Sequence, residues 1–122
     1  MNKKKIYVAD DDPNILELMN MILKGKGYEV ITSPDGRSLE QLTDTPDLVF
    51  LDIGMSGSDG SEICKSFKAN THTTLTPVVL VSANTNLKEI AQQCGADDVL
   101  PKPFDIRSVV ELAQKYTTQG KK

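Results

Sequence analysis

The chain has few of the residue types that build metal centres and nucleophilic triads. Its one histidine, His72, lies in the polar stretch "NTHTTLTP", and its two cysteines, Cys64 and Cys94, show no short metal-type spacing. A zinc site needs several such ligands close together, and a histidine triad needs a ring beside a nucleophile, so neither is supported. Both cysteines fall in helical patterns, which reads as packed, reduced thiols rather than a disulfide. No apolar stretch approaches the ~20 residues that a bilayer span requires. Lys3, Lys4 and Lys5 imitate a signal-peptide start, but the apolar run 6–9 meets Asp10 at once and is too short for such a peptide. A cytoplasmic location without membrane contact is therefore expected. A basic excess is missing too. Net charge is −3, so no direct nucleic-acid contact is expected, and the lysine cluster reads as a solvated flank. No internal repeat, low-complexity segment or linker interrupts the chain.

What is present has a globular balance, 39% apolar and 25% charged, in a length that suits one compact domain. The expected extent is 1–122, with a core over about 4–116 and a polar tail, 117–122, that frays. Strand-like and helix-like patterns alternate throughout. A first strand covers 5–9. Asp12 then caps a helix with Pro13 at its first position, and Ile15, Leu18, Met19 and Ile22 form one apolar stripe that stops at Gly25 and Gly27. A second strand spans 29–32, followed by a turn at Pro34-Asp35-Gly36 and a short helix bearing Leu39 and Leu42. The third strand, 48–53, is apolar except for Asp52, and a Gly- and Ser-rich loop follows over 54–60. Next come a helix over 62–69 burying Ile63 and Phe67, a strand over 77–81, and a helix marked by Leu87, Ile90, Ala91 and Cys94 that ends at Gly95. A short strand at 98–100 precedes a last helix capped by Asp105, with Ile106, Val109, Val110 and Ala113 inward. The runs at 48–53 and 77–81 lack polar alternation, as strands buried on both faces do. Five strand–helix units with right-handed crossovers predict an α/β doubly wound parallel sheet.

In such a sheet the site lies beyond the carboxyl ends of the strands. Asp10 and Asp11 follow the first strand, Asp52 ends the third, Ser82 follows the fourth and Lys102 the fifth. Side-by-side acids such as Asp10, Asp11 and Asp12 repel one another unless water or a cation neutralises them. Asp12 is explained as a helix cap. The others favour a hard divalent cation such as Mg²⁺, which takes oxygen ligands from one or two carboxylates plus a phosphate. Lys102 suits a phosphoryl oxygen, Ser82 can donate to another, and Asp52 is the candidate nucleophile, a carboxylate on an otherwise apolar strand.

Together "VADDDP", "LVFLDIGMSGSDG", "VVLVSA" and "GADDVLPKPF" resemble the receiver domain of bacterial two-component response regulators, over about residues 4–116. The resemblance implies a flavodoxin-like (βα)₅ sheet in the order 2-1-3-4-5. It implies that Asp52 is phosphorylated by a sensor histidine kinase or a histidine phosphotransfer protein. It further implies that Asp10, Asp11, Asp52 and the Gly54 backbone carbonyl hold Mg²⁺, that Ser82 and Lys102 contact the phosphoryl group, and that Pro103 follows a cis peptide bond. The output surface, for a downstream protein or a self-dimer, would be the fourth helix, fifth strand and fifth helix. Such a module is not an enzyme beyond its own phosphorylation and dephosphorylation.

Two residues depart from the family's pattern. Ser56 replaces a proline, which implies a looser loop after Asp52, and Val99 stands where Tyr or Phe is common. With Val99 a large aromatic swing is impossible, so either coupling runs through Ser82 and the backbone of Ala83 and Asn84, or the output face differs.

Three other readings compete. In a phosphatase of the haloacid dehalogenase type, Asp10 would be the nucleophile, with Asp12 beside it and Asp97 and Asp98 as a late acid pair, leaving Asp52 idle. A flavodoxin-like flavin binder would need a Ser-, Thr- and Gly-rich loop where the three acids stand. A degenerate receiver that binds partners without phosphorylation would not need the full acid, hydroxyl and lysine set.

Overall fold

The computed structural model describes residues 3–55 and 57–118. Five strands form one parallel sheet: β1 (Lys5–Ala9), β2 (Glu29–Ser33), β3 (Leu48–Asp52), β6 (Val78–Ser82) and β7 (Asp98–Pro101). Their order is β2-β1-β3-β6-β7, which is 2-1-3-4-5 once the two-residue strands β4 (Gly54–Met55) and β5 (Ser58–Asp59) are left out of the count. Those two pair antiparallel, so the expected loop after Asp52 is a small hairpin. Helices α1 (Pro13–Gly25), α2 (Gly60–Ala69), α3 (Leu87–Cys94) and α4 (Ile106–Thr118) cover the sheet, and none is long and apolar enough to cross a membrane.

Successive strand residues point to opposite faces, and every residue of β3 is buried. Ile6, Val8, Leu48, Phe50, Val79 and Val81 pack with Met19 and Leu23 of α1 and Val109 and Ala113 of α4. Tyr7, Ala9, Val49, Leu51, Val78 and Leu80 pack with Cys64 and Phe67 of α2 and Leu87 and Ala91 of α3. This two-sided burial is why the third and fourth sheet strands read as unbroken apolar runs. The buried Tyr7 phenol is satisfied by Ser38 Oγ at 2.9 Å. Both cysteines are free and buried, and burial, followed by the neighbouring Cys94, pushes the Cys64 thiol up.

Four local expectations are corrected. No α-helix forms between β2 and β3; a single 3₁₀ turn, Leu39–Gln41, suffices to bury Leu39. Only residues 37–45 lie between Gly36 and Pro46, and a residue preceding proline avoids helical geometry. In α1 the buried row is Met19 and Leu23 with Leu16 beside them, and Leu18 is 39% exposed, one step of ~100° round the helix from Met19. In α4, Ile106 is 59% exposed because it opens the helix, and burial begins a turn later at Val109. Thr117 is not frayed: it is buried in the last turn, with its hydroxyl 3.0 Å from Tyr28 Oη. The end of the tail, 119–122, and the expectation for Ser56 lie outside the described residues.

Candidate functional site

The carboxyl ends of β1, β3, β6 and β7 meet at one rim, and the chain leaves each with a polar side chain. Asp10 follows β1 and is 2% exposed; its backbone N–H still donates to Ser33 O (3.0 Å), which extends the ladder with β2. Asp10 Oδ1 accepts the backbone N–H of Asp12 (2.9 Å), and Asp12 Oδ1 accepts that of Asn14 (2.9 Å). The acid run thus divides its work: Asp12 caps α1, and Asp10 faces inward. Asp11 is exposed, yet one carboxylate oxygen from each of Asp10, Asp11 and Asp52 lies within 4.8 Å of the others.

Asp52 closes β3 at 5% exposure. Burial raises its carboxyl above the ordinary range, and the Asp10 charge adds to the rise; the Lys102 ammonium and the Gly54 backbone N–H oppose them. Lys102 Nζ lies 3.0 Å from Asp10 Oδ2 and 3.5 Å from Asp52 Oδ1. Burial pulls the Lys102 ammonium down, but Asp10 and then Asp52 outweigh it and leave its pKa above the ordinary lysine value. The Lys102 backbone is anchored by N–H donation to Ser82 O (2.9 Å), and the following peptide, Lys102–Pro103, is cis as expected. Ser82 Oγ stands at the end of β6 and accepts the Asn84 N–H (3.0 Å). The site therefore holds three carboxylates against one ammonium, all-oxygen donors, and an acid that resists ionising. Such a set fits a hard divalent cation better than it fits none.

Two features of this rim have no counterpart in the sequence reading. A side chain at Gly60 would place its Cβ 2.0 Å from the Asp52 carbonyl oxygen, so α2 can start this close to β3 only at a glycine. Arg37, in the turn after β2, donates from Nη2 to Gly57 O (3.1 Å) at the tip of the hairpin. The sequence reading ran a loop through residue 60 and began the helix at 62, whereas α2 starts at Gly60 with Asp59 as its cap; nothing in the residue order pointed to the close approach or to the arginine.

Val99 lies on the face toward α3 and lines a cleft of about 360 Å³ with Ser82, Asn84 and Leu87. The late acid pair of the phosphatase reading is elsewhere. Asp98 begins β7, at the end of that strand away from Lys102, and binds Tyr116 Oη (2.8 Å) and Lys115 (3.3 Å). Asp97 pairs with Lys68 (2.9 Å) and accepts the Val78 N–H (2.8 Å) at the start of β6. Neither can serve a nucleophile at Asp10, because the length of a strand separates them from it.

Residues 6–114 match the family described as response regulator receiver domain. The DNA-binding response regulator MtrA of Mycolicibacterium smegmatis is 31% identical over 112 residues, covering 88% of this chain and 48% of MtrA. The alkaline phosphatase synthesis transcriptional regulatory protein PhoP of Bacillus subtilis is 36% identical over 110 residues, covering 87% of this chain and 45% of PhoP. The chain thus spans about half the length of these relatives. The structure of chemotaxis protein CheY4 of Vibrio cholerae superposes with a TM-score of 0.85 at 25% identity, covering 94% of this chain and 99% of that one. The expected absence of nucleic acid among the partners is overturned by the relatives named as DNA-binding or transcriptional regulators. The reading failed because net charge was taken from a segment that matches only half of those proteins. The match runs from the first sheet strand into the last helix: the chain belongs to the response regulator receiver domains, the signalling modules of two-component systems.

Proposed function

We propose that this chain, as one receiver unit in the cytoplasm, accepts a phosphoryl group on Asp52 from the phosphohistidine of a sensor kinase or phosphotransfer protein. The observation that carries this reading is the convergence of three carboxylates within 4.8 Å with the Lys102 ammonium set between two of them. Mg²⁺ would be held by Asp10, Asp11, Asp52 and the Gly54 carbonyl, and when bound it supplies charge neutralisation for an incoming phosphoryl group. In the transfer an Asp52 carboxylate oxygen bonds to phosphorus as the P–N bond to imidazole breaks, and the imidazole leaves with the bonding pair and takes up a proton. The product is an acyl phosphate carrying about two negative charges.

The residues around it have separate tasks. Lys102, already 3.5 Å from Asp52, neutralises one phosphoryl oxygen. Ser82 donates its hydroxyl hydrogen to another. Turning toward phosphorus takes Ser82 Oγ from the Asn84 N–H that it now accepts, while Asn84 Oδ1 accepts the Asn86 N–H (2.8 Å) at the start of α3. Occupancy of Asp52 is thereby passed to the loop 83–86 and α3, with no aromatic swing at Val99 needed. The responding surface is α3, β7 and α4, open to a downstream protein or a second copy of the chain. In longer proteins such as the DNA-binding relatives, this switch would act on the half that this chain does not match.

Intact mass spectrometry after incubation with acetyl phosphate tests the reading. A gain of one phosphoryl group that needs Mg²⁺ and is absent in Asp52→Asn is expected. Steady phosphate release that survives Asp52→Asn is the contrary result and would move the nucleophile elsewhere.

A further inference from the structure

We infer that Arg37 is a positioning residue for the cation site: it clamps the hairpin after Asp52 and so fixes where Gly54 presents its backbone. This rests on the proposed role of Gly54 as a ligand. The hairpin has two residues in each strand, paired Gly54 with Asp59 and Met55 with Ser58, and so short a ribbon is marginal by itself. Its root is held where the Gly60 N–H donates to Ile53 O (3.1 Å), and Met55, in the pair next to the turn, is buried. Its tip is reached by Arg37 Nη2, 3.1 Å from Gly57 O, where the backbone turns with a φ of +74°.

Arg37 is itself braced from the sheet. Ser33 Oγ, at the buried end of β2, accepts the Gly36 N–H (2.9 Å) and donates to Asp35 Oδ1 (3.3 Å). Asp35 Oδ1 accepts the Arg37 N–H (3.0 Å), and Asp35 Oδ2 lies 3.8 Å from Nε. A path of polar contacts thus runs from the end of β2 to the hairpin tip. The guanidinium fork serves both of its ends, Nε toward Asp35 and Nη2 toward Gly57, which one ammonium cannot do in the same geometry. Gly54 feels the result at both of its polar groups: its N–H helps hold down the Asp52 carboxyl pKa, and its carbonyl is carried on the same short ribbon. If the tip is released, the ribbon tilts about its root and the carbonyl loses a fixed direction. The arginine touches no reacting atom, so its influence is on cation affinity, through the hairpin.

The test is calorimetric titration of Mg²⁺ into the metal-free full chain as wild type, Arg37→Ala and Arg37→Lys. It is paired with amide hydrogen exchange at the hairpin in EDTA and with melting curves in EDTA. Arg37 is exposed and should be dispensable for folding, so both variants are expected to melt near wild type. Arg37→Ala is expected to weaken Mg²⁺ binding about three- to ten-fold, the scale of one hydrogen bond, with Arg37→Lys in between. Hairpin amides should exchange roughly ten-fold faster in Arg37→Ala, in the absence of any metal. Wild-type Mg²⁺ affinity in Arg37→Ala would overturn the inference and leave the phosphoacceptor reading standing. A wild-type chain that binds no Mg²⁺ would overturn the phosphoacceptor reading and the clamp's role in cation binding together.

Discussion

Asp52 is a buried carboxyl beside a second acid, and the sign of that strain can be read from stability. Its folded pKa lies above the ordinary 3.8, chiefly through burial and then through Asp10. A carboxyl that holds its proton more tightly when folded costs stability once it ionises. That cost is absent below the unfolded value and complete above the raised folded one. Without metal, Asp52→Asn is therefore expected to be more stable than wild type at neutral pH by about 1 kcal/mol, or roughly 3–6 °C in melting temperature. The gain should vanish as the pH falls below about 3.8. Adding Mg²⁺ should reverse the order, because a ligand that binds only the folded wild type stabilises it by mass action. Equal melting temperatures of the two proteins in EDTA from pH 3 to pH 8 would contradict this electrostatic picture. Asp10, Asp52, Ser82 and Lys102 were legible because each ends an apolar run or follows one. Gly60 and Arg37 were not, because one matters through a backbone approach to Asp52 that leaves no room for a Cβ and the other through a 3.1 Å bond to Gly57, and neither leaves a periodic trace.

At the level of elements, helix starts were the most readable feature. Asp12 and Asp105, the two expected caps, accept the backbone N–H of Asn14 and Ser108; Asp59 accepts that of Ser61, but the helix it caps was expected to begin at 62. Helix caps thus stand beside the acids proposed as ligands, and the two uses are expected to separate under mutation. Asp12→Ala should cost about 1 kcal/mol of stability through loss of the cap, yet leave Mg²⁺ affinity near wild type. Asp11→Ala should do the reverse. Thermal melting in EDTA alongside Mg²⁺ titration of both variants distinguishes them, and a large fall in Mg²⁺ affinity in Asp12→Ala would contradict the division. Helix faces were less readable than helix starts. Leu18 and Ile106 carry the right residue type, but the sheet is met by the rows through Met19 and Leu23 and through Val109 and Ala113. The stretch between β2 and β3 misled because Leu39 and Leu42 have helical spacing, while the single 3₁₀ turn Leu39–Gln41 already buries Leu39.

Over the whole molecule, fold and site are one consequence of sheet order. Parallel strands with right-handed crossovers put all their carboxyl ends on one rim, and β1, β3 and β6 lie adjacent at the centre of the sheet with β7 next. Acids at positions 10 and 52, far apart in sequence, become close because their strands pair directly, in a register of Ile6 with Leu48 through Ala9 with Leu51. This was legible, since the strands announced themselves as apolar runs. The nucleic-acid connection of the relatives was not, since the charge of a segment says nothing about a half that it does not contain. What must hold for the rest to stand is that Asp52 shares a cation with Asp10 and Asp11. Crystals grown with millimolar Mn²⁺ and measured for anomalous scattering examine this in one step. We predict a single strong peak bonded to an Asp52 carboxylate oxygen and the Gly54 carbonyl, with Asp10 and Asp11 beside it. An empty cluster, with Lys102 still bridging Asp10 and Asp52, would contradict it.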